Sequence, residues 1–443
     1  MRQKSQSQRC RNKPRQTRRL VSPFQRLMQK SLPRFSLQKL VQPWKSLDWF
    51  LAISVVGLTV FGGLMIRSTQ LNADYTDWWQ HWLTGGIGLA IALAIARWRY
   101  DVLVQWKWIV YGITNLSLLA VIFVGTTALG AQRWISIGGF HVQPSEFAKL
   151  GLIVTLAAVL ESRTAASFPV VLQTLAVTAV PWGLVFLQPD LGTSLVFGAI
   201  TIGMLYWANA NPGWLVLLVS PLVSAILFGT LLPAWFVWVA GMGVLAWLTI
   251  PGRWIGAAIA LGINLLSGKL GEVFWNLLKP YQKDRIILFL DPDRDPLGGG
   301  YHLIQSRIAI GAGEFWGRGW GNGTQTQGGF IPEQHTDFIF SAVGEELGFV
   351  GAISVVLVFW LICLRLVILA QNAKDNFGSL LCVGVLSTIV FQAIVNISMT
   401  IGLAPVTGIP LPWLSYGRSA LLTNFIAFGL VESVANYRQR LKF

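Results

Sequence analysis

The chain has 443 residues, of which 53% are hydrophobic and only 12% are charged. Soluble domains carry about 25% charged residues, so this composition excludes an ordinary soluble protein and indicates a helical membrane protein with many spans. The formal charge of +15 does not indicate nucleic-acid binding, because it is concentrated at one end. Residues 1–45 hold 13 of the 34 Lys and Arg and no acidic residue, which leaves 21 basic and 19 acidic residues in the rest.

Residues 1–47 are predicted to form a basic, disordered cytosolic tail. Each Lys or Arg beside an anionic membrane contributes roughly 1 kcal/mol of attraction, so membrane lipids are the expected partner of this tail. The basic stretch is too long for a secretory signal peptide. The three cysteines (Cys10, Cys363 and Cys382) have no spacing typical of a metal or redox site.

Residues 48–443 are predicted to form one polytopic membrane domain. A transmembrane helix needs about 20 apolar residues, and twelve stretches fit that requirement. They are 49–66, 82–98, 108–126, 146–163, 168–187, 191–208, 213–231, 234–250, 253–270, 343–365, 378–401 and 418–436. Basic residues in the short loops place both termini in the cytosol. The polar stretches 127–145, 271–342 and 402–417 then share the outer face.

The stretch 271–342 carries the densest set of reactive side chains, including Asp291, Asp293, Asp295 and the pair His335 and Asp337. A polar, Gly-rich segment of this length between spans is either functional or disordered, so we expect an active-site loop rather than a packed domain. The aspartate spacing does not match an EF-hand, which favours general-base chemistry. His335 and Asp337 fit either an acid/base pair or the capped start of a helix.

The loop 127–145 contains Arg133, which fits either a phosphate clamp or a headgroup anchor. Glu146 and Lys149 follow, three residues apart on one predicted helix face. Ionisable residues at the start of a span mark a functional cavity unless they form an orienting salt bridge. Asp190, after Pro189, fits a turn that caps a helix. The irregular, Pro-rich stretch 402–417 is expected to line a cavity, since such backbone needs polar partners at membrane depth.

Several of these segments resemble the SEDS family (shape, elongation, division and sporulation), the polytopic cell-wall polymerases of the RodA and FtsW type. They read Arg-Trp-Ile (133–135), Gln-Pro-Ser-Glu-Phe-Ala-Lys (143–149), Gln-Pro-Asp-Leu-Gly-Thr (188–193), Asp-Pro-Leu-Gly-Gly-Gly-Tyr-His (295–302), Gly-Thr-Gln (323–325), Pro-Glu-Gln-His-Thr-Asp-Phe-Ile-Phe (332–340), Gly-Glu-Glu-Leu-Gly (344–348) and Pro-Leu-Pro-Trp-Leu-Ser-Tyr-Gly (410–417). Their order is collinear over about 49–436, and the details look more like the RodA branch.

The resemblance implies an all-α helical bundle of the SEDS type with about twelve transmembrane helices, the family's ten plus a pair inserted at about 213–270, and a large extracytoplasmic loop. It implies a peptidoglycan glycosyltransferase in the bacterial inner membrane, which polymerises lipid II, the undecaprenyl-diphosphate-linked disaccharide pentapeptide, for cell elongation and shape. A class B penicillin-binding protein is the implied partner. A divalent cation such as Mg²⁺ at the diphosphate is left open, with no other cofactor expected.

Family position makes Asp295 the expected catalytic base, with Asp291 in reserve. The expected substrate-binding residues are Arg133, Glu146, Lys149, Gln305, Ser306, His335, Ser415 and Tyr416. Arg133 and Lys149 are expected to meet the diphosphate, with Glu146 holding Lys149. The sequence departs from the family pattern at Arg418, where a neutral residue is usual, and at Ser398, where Gly is usual.

Two other functions remain open at this stage. Twelve spans with Pro- and Gly-interrupted helices also suit a lipid II flippase or transporter. The chain shows no clear inverted repeat, however, and its ionisable residues gather at one predicted face, which favours an enzyme. A scaffold that only recruits a synthase would not need the carboxylate-dense segment.

Overall fold

The computed structural model describes residues 47–72, 77–128, 131–137, 140–163, 165–277, 280–295 and 300–437, so most of the predicted tail lies outside the described residues. Within them the chain is helical apart from one small sheet and its connections. The helices are α1 (Trp49–Thr69), α2 (Trp78–Ala96), α3 (Val102–Val124), α4 (Pro144–Leu160), α5 (Phe168–Leu187), α6 (Leu191–Trp207), α7 (Pro212–Thr230), α8 (Leu232–Thr249), α9 (Arg253–Leu277), α10 (Pro280–Leu290), α11 (Tyr301–Ala312), α12 (Thr324–Gln327), α13 (Ile339–Gln371), α14 (Asn376–Thr400) and α15 (Arg418–Tyr437).

A helix occupies each of the twelve predicted spans, which confirms the all-α polytopic fold. Ten helices in the described part of the chain are long and apolar enough to cross a membrane. The other two, α4 and α6, have 17 residues each, which is the lower limit for a span of about 17–25 residues. Pro144 stands in the first turn of α4, where the missing N–H of proline costs nothing.

The centre of the bundle is built from α4, α14 and α15, and small residues let these helices approach their neighbours. A Cβ atom on Gly88 of α2 would lie 2.7 Å from Cδ2 of Phe425 on α15, and one on Gly429 would lie 2.7 Å from Cα of Ala92. Apolar side chains gain nothing by leaving lipid for protein, so close van der Waals packing of this kind holds membrane helices together. By contrast, α3 lies at the edge of the bundle, where only 11% of its apolar stretch is buried inside the protein.

The predicted inserted pair falls within a three-helix group formed by α7, α8 and α9. Polar side chains join these helices: Asn264 Nδ2 donates to Ser220 Oγ at 3.0 Å, Ser224 Oγ donates to the Asn264 carbonyl at 2.7 Å, and Trp235 Nε1 donates to Ser224 Oγ at 2.9 Å. The ring of Trp214 on α7 packs edge-on against Phe168 of α5 at 5.7 Å. The group therefore has an interior of its own and sits beside the central bundle.

The active-site loop expected at 271–342 contains helices that the sequence analysis did not predict. Helix α9 continues to Leu277, α10 follows at Pro280, a 3₁₀ turn covers Pro292–Arg294, and α11 packs on α13. Polarity and glycine content suggested a loop, but several of these glycines lie at tight helix contacts: a Cβ atom on Gly313 would lie 1.9 Å from the carbonyl oxygen of Gly344.

The loop 127–145 likewise contains structure that was not predicted. Strands β1 (Thr126–Ala128), β2 (Ala131–Ile137) and β3 (Phe140–Val142) form an antiparallel sheet in the order β1-β2-β3. Arg133 lies on β2, the central strand, so the sheet fixes the position of its backbone.

Helix α13 bends near its start because Gly348 adopts φ 65° and ψ −162° inside it. The bend brings Glu345 and Glu346 against the segment that precedes α13. Glu345, which is fully buried, accepts hydrogen bonds from the backbone N–H groups of Gln325 and Thr326, both at 2.8 Å. Glu346 accepts one from Ser68 Oγ on α1 at 2.7 Å. These two carboxylates bind the 313–328 segment to the bundle.

Candidate active site

The three polar stretches meet at one end of the bundle, as predicted. Tyr416 N donates to the His335 carbonyl at 2.9 Å, which joins stretch 402–417 to stretch 271–342. Ser419 Oγ donates to the His141 carbonyl at 3.1 Å and brings in the sheet. Gln282 Nε2 reaches the Pro189 carbonyl at 3.4 Å. A shared polar surface therefore forms from segments that are far apart in the sequence.

Arg133 reaches from β2 to the start of α6. Its Nη2 donates to the Pro189 carbonyl, and its Nη1 lies 3.9 Å from Asp190 Oδ1. Asp190 also caps α6, because its carboxylate accepts from Thr193 N at 3.2 Å and from Thr193 Oγ1 at 2.9 Å. The helix cap expected at Asp190 is therefore present. The carboxylate of Asp190 also partly neutralises the positive charge of Arg133.

Glu146 and Lys149 form the expected pair, with Nζ of Lys149 2.8 Å from Oε2 of Glu146. Both side chains are almost completely buried, at 3% exposure for Lys149 and 4% for Glu146. Lys149 borders a small cavity of about 10 Å³ under Trp413, which has room for about one water molecule. The expected contact between Lys149 and a diphosphate is not accessible in this structure, because the chain itself covers the ammonium group.

Asp295 and Asp291 flank the 3₁₀ turn that follows α10, and both residues are exposed. The backbone of Asp295 is held, since Gly300 N donates to its carbonyl at 3.1 Å. Residues 296–299, between Asp295 and Gly300, lie outside the described residues. An exposed carboxylate on a short anchored turn is accessible to a substrate at this face.

Asp337 and Arg285 both lie close to Gly408, and the sequence analysis did not single out Arg285. A Cβ atom on Gly408 would lie 3.4 Å from Oδ2 of Asp337 and 3.8 Å from Nη1 of Arg285. Gly408 adopts φ +75°, a backbone conformation that residues with a side chain rarely adopt. The sequence signal for Arg285 is weak: a cation on the short helix ahead of the aspartate-rich turn.

Asp337 does not cap α13, which removes one of the two explanations for the 335–337 motif. The helix begins after Phe338, and no side chain caps it among the residues that the structure describes. The Asp337 backbone is instead held by the buried Asn396, whose Nδ2 donates to the carbonyls of Asp337 at 2.9 Å and Ile409 at 2.8 Å. Burial raises the pKa of Asp337 to about 6, against the opposing effect of Arg285.

His335 and Tyr416 lie together beneath this surface. Their ring centroids are 5.6 Å apart, and Tyr416 Oη donates to Oε1 of Gln80 on α2 at 3.1 Å. Burial lowers the pKa of His335 and raises the pKa of Tyr416, so both side chains are neutral near pH 7. They can offer hydrogen bonds to a substrate but no charge.

Three expected substrate-binding residues have less accessible positions. Ser306 is fully buried, with its Oγ 2.6 Å from Ser341 Oγ and 2.7 Å from the Thr400 carbonyl that it donates to. Ser415 is buried and accepts from Leu411 N at 2.8 Å. Gln305 is half-buried on α11. The two serine hydroxyls are used in packing, so the geometry gives no support to their role in substrate binding.

A metal site assembled by the protein alone is not evident. In the described ranges there is no group of three His, Cys, Asp or Glu side chains that could hold a metal ion. The exposed carboxylates of Asp291 and Asp295 supply the oxygen ligands that Mg²⁺ prefers, and Mg²⁺ is usually held by one or two carboxylates together with substrate phosphates. A divalent cation that arrives with a diphosphate therefore fits these residues and stays a prediction.

The site combines an exposed carboxylate, a half-buried carboxylate with a raised pKa, and arginines on two separate elements. Such a set can accept a proton from a hydroxyl and stabilise negative charge on a departing phosphate. The family model for FtsW, RodA and SpoVE, described as cell cycle proteins, matches residues 45–236 and 214–440. This chain belongs to that family.

Characterised relatives cover most of this SEDS chain. The peptidoglycan glycosyltransferase RodA of Treponema pallidum is 34% identical over 428 residues, spanning 88% of this chain and 98% of the relative. The peptidoglycan glycosyltransferase MrdB of Escherichia coli is 34% identical over 359 residues, spanning 80% of this chain and 84% of the relative. The resemblance to RodA-type members of the SEDS family is confirmed.

Solved structures agree with the fold. A chain of a peptidoglycan synthase complex that coordinates polymerization and crosslinking superimposes with a TM-score of 0.67 at 30% identity, over 88% of this chain and 98% of that chain. The RodA of Thermus thermophilus superimposes with a TM-score of 0.60 at 24% identity, over 90% and 99% of the two chains. The two matches to the family model overlap at α7 and α8, where the inserted helices were predicted.

Proposed function

We propose that this SEDS protein is a peptidoglycan glycosyltransferase that polymerises lipid II into glycan strands at the outer face of the bacterial inner membrane. The observation that carries the proposal is the convergence of three polar stretches at one end of the bundle, one of which carries the exposed Asp295, on a fold shared with peptidoglycan glycosyltransferases. Basic residues in the short loops on the opposite side support an orientation with both termini in the cytosol.

The reaction needs one base and stabilisation of a leaving group. A sugar hydroxyl of one lipid-linked unit attacks the anomeric carbon of another, the bond from that carbon to the diphosphate breaks, and the hydroxyl proton moves to Asp295. Glycosidases need a second carboxyl group because an alkoxide must be protonated as it leaves. A diphosphate leaves as a stable anion, so cations can take the place of that acid. Arg133 is anchored close enough to the surface to contribute.

A class B penicillin-binding protein, which has one transmembrane helix, is the proposed partner. An apolar groove of about 660 Å³ runs between α1 and α13, and small residues line parts of both walls, including Ser54, Gly57, Gly351 and Ser354. Small residues allow close approach of another helix in a membrane. Relatives act in cell shape, division and sporulation, and the RodA-type similarity favours elongation and shape here.

The test is glycan synthesis from purified lipid II by the detergent-solubilised protein, with and without the partner. Asp295→Asn removes the base, so we expect the polymerisation rate to fall by roughly 100- to 10,000-fold while expression and partner binding stay unchanged. The matched control is Asp284→Asn, which removes the charge of an exposed carboxylate on α10, the helix ahead of Asp295. An Asp295→Asn variant with full activity would refute the assignment of the base. If wild type forms no polymer but moves labelled lipid II across proteoliposomes, the protein is a transporter.

A further inference from the structure

A series of side-chain hydrogen bonds runs from the start of α2 to Tyr416, and the glycosyl transfer described above does not use it. The Tyr416 hydroxyl group donates to Oε1 of Gln80 at 3.1 Å, and Nε2 of Gln80 donates to Oδ1 of Asp77 at 2.9 Å. All three side chains are half-buried. The series therefore connects the beginning of a helix to stretch 402–417, which forms part of the candidate active site.

Asp77 is fixed at the far end of this series. Its backbone N–H donates to Oε1 of the buried Gln70 at 2.8 Å. An aspartate that precedes a helix normally accepts from the first backbone N–H groups of that helix. The carboxylate of Asp77 makes no such bond to α2 and instead accepts from the Gln80 amide group. A contact between side chains therefore replaces the usual helix cap.

The carboxylate of Asp77 fixes the direction of each hydrogen bond in the series. A carboxylate only accepts, so the Gln80 amide group turns its NH₂ toward Asp77 and its oxygen toward Tyr416. Because the amide oxygen also only accepts, the Tyr416 hydroxyl group donates its one proton to Gln80. The Tyr416 oxygen keeps its lone pairs as acceptors, and no residue in the described part of the chain donates to it.

The surroundings of Tyr416 keep its hydroxyl group protonated. Burial raises the pKa of Tyr416, and the negative charge of Asp77 raises it further, against the opposing effect of Arg418. The hydroxyl group therefore retains the proton that it donates to Gln80, and the direction of the series does not change near pH 7.

We propose that the hydroxyl oxygen of Tyr416, oriented by Gln80 and Asp77, accepts a hydrogen bond from a hydroxyl or amide N–H group of the sugar in the lipid-linked substrate. The inference rests on the proposed function and names the part of the substrate that Tyr416 binds. An ionised diphosphate does not fit this position, because its oxygens only accept hydrogen bonds. The sugar carries donors of both kinds and is the part that reacts. Gln80 and Asp77 act through Tyr416 and are positioning residues.

The first experiment measures dissociation constants of the full-length protein in detergent for three probes. They are lipid II with a shortened isoprenoid chain, the same lipid without the pentapeptide, and farnesyl diphosphate, which has no sugar. Tyr416→Phe removes only the hydroxyl group and leaves a donor of the sugar unpaired. We expect this variant to bind both sugar-bearing lipids about 5- to 100-fold more weakly and to bind farnesyl diphosphate as wild type does. Tyr206→Phe, at an exposed tyrosine on α6, is the matched control and should bind all three probes as wild type does.

Other patterns of binding would overturn the inference. Equal weakening for all three probes would show that the hydroxyl group supports the fold or the diphosphate. Weakening only for the probe with the pentapeptide would place the donor in the peptide. Unchanged affinity of Tyr416→Phe for the sugar-bearing lipids, or no binding of these lipids by wild type, would show that the contact does not exist.

The second experiment tests the direction of the hydrogen bonds by an isosteric exchange. In Asp77→Asn the side chain donates as well as accepts, so Gln80 is released to turn its NH₂ toward Tyr416, and affinity for the sugar-bearing lipids should fall by about 2- to 10-fold. The double variant with Asp77→Asn and Gln80→Glu has the net charge of wild type and again places an acceptor before Tyr416. We expect it to bind as wild type does. A double variant as weak as Asp77→Asn would overturn the positioning role.

The two experiments separate the inference from the proposed function, because binding does not require polymerisation. The expected pattern of binding in a protein that forms no polymer would support the inference and refute the proposed function. Polymerisation by wild type, together with unchanged binding by a folded Tyr416→Phe variant, would refute the inference alone. If Tyr416→Phe fails to fold by size-exclusion chromatography, the isosteric exchange of Asp77 and Gln80 decides.

Discussion

Burial decides what the individual charged residues of this protein can do. Glu146 and Lys149 look like a substrate site in the sequence, yet their side chains are 4% and 3% exposed and satisfy each other. Arg285 attracts no attention in the sequence, yet it is exposed at the point where α10 meets stretch 402–417. Removal of one member of a buried ion pair leaves an uncompensated charge, whereas removal of both can be nearly neutral.

This difference gives a prediction for the buried pair. Glu146→Leu and Lys149→Met should each destabilise the protein by about 3–5 kcal/mol, and the double variant should recover most of the loss. Thermal unfolding in detergent, followed by tryptophan fluorescence, measures the three changes. Glu333→Gln, at an exposed carboxylate, should unfold as wild type does. If the double variant is as unstable as the sum of the single variants, the two side chains do not form a structural pair.

At the scale of elements, the bend in α13 organises the segment before it. Gly348 lies against the backbone of Gly317, and a Cβ atom there would lie 2.3 Å from the Gly317 N atom. The bend lets Glu345 accept from two backbone N–H groups at the start of α12 and from Thr326 Oγ1 at 2.6 Å. A single buried carboxylate thus satisfies the open end of a one-turn helix.

We therefore expect Glu345→Gln to release this segment locally. The amide group retains an acceptor but brings N–H donors toward other donors, so hydrogen bonds to a charged group are lost. Hydrogen exchange at Gln325 and Thr326 should become faster by about 10- to 100-fold. The exposed Glu314 lies on the same segment, and Glu314→Gln should leave exchange unchanged. Equal exchange in wild type and Glu345→Gln would show that the segment is held by other contacts.

At the scale of the whole molecule, the number of membrane-crossing helices between two loops decides whether they lie on the same side of the membrane. An even number places them on the same side, and an odd number places them on opposite sides. The two 17-residue helices, α4 and α6, decide the parity, because either of them could only just cross a hydrocarbon layer of about 30 Å. If both cross, the α4–α5 connection and the site lie on opposite sides. If α6 does not cross, only four crossings separate the α4–α5 connection from stretch 271–342, and the two share a side.

Cysteine labelling tests this arrangement. In a variant without native cysteines, we expect Glu333→Cys to react with an impermeant maleimide added to the periplasmic side of the membrane. Arg163→Cys, at an exposed position after α4, should react only after the membrane is opened. Labelling of both positions from the same side would contradict twelve crossings and move the proposed active site to another compartment.

The sequence by itself determined the membrane class, the place of every long helix, the convergence of three polar stretches and the family. Those features follow from runs of apolar residues, from loop charge and from motifs, all of which are local in the chain. The helices and strands inside the polar stretches could not be predicted, because their glycines serve close packing against α13 and their strands pair within a short loop. Glycine and polarity are equally typical of irregular loops.

The tertiary structure alone decided which charged residues are accessible. Arg285, Asp337 and Gly408 lie in three separate segments and come close together only after the bundle has formed. Lys149 is buried beside a small cavity whose walls come from α4, α14 and α15 and from Trp413 of stretch 402–417. Exposure and pairing depend on which segments pack together, and for that reason they cannot be read from spacing along a chain.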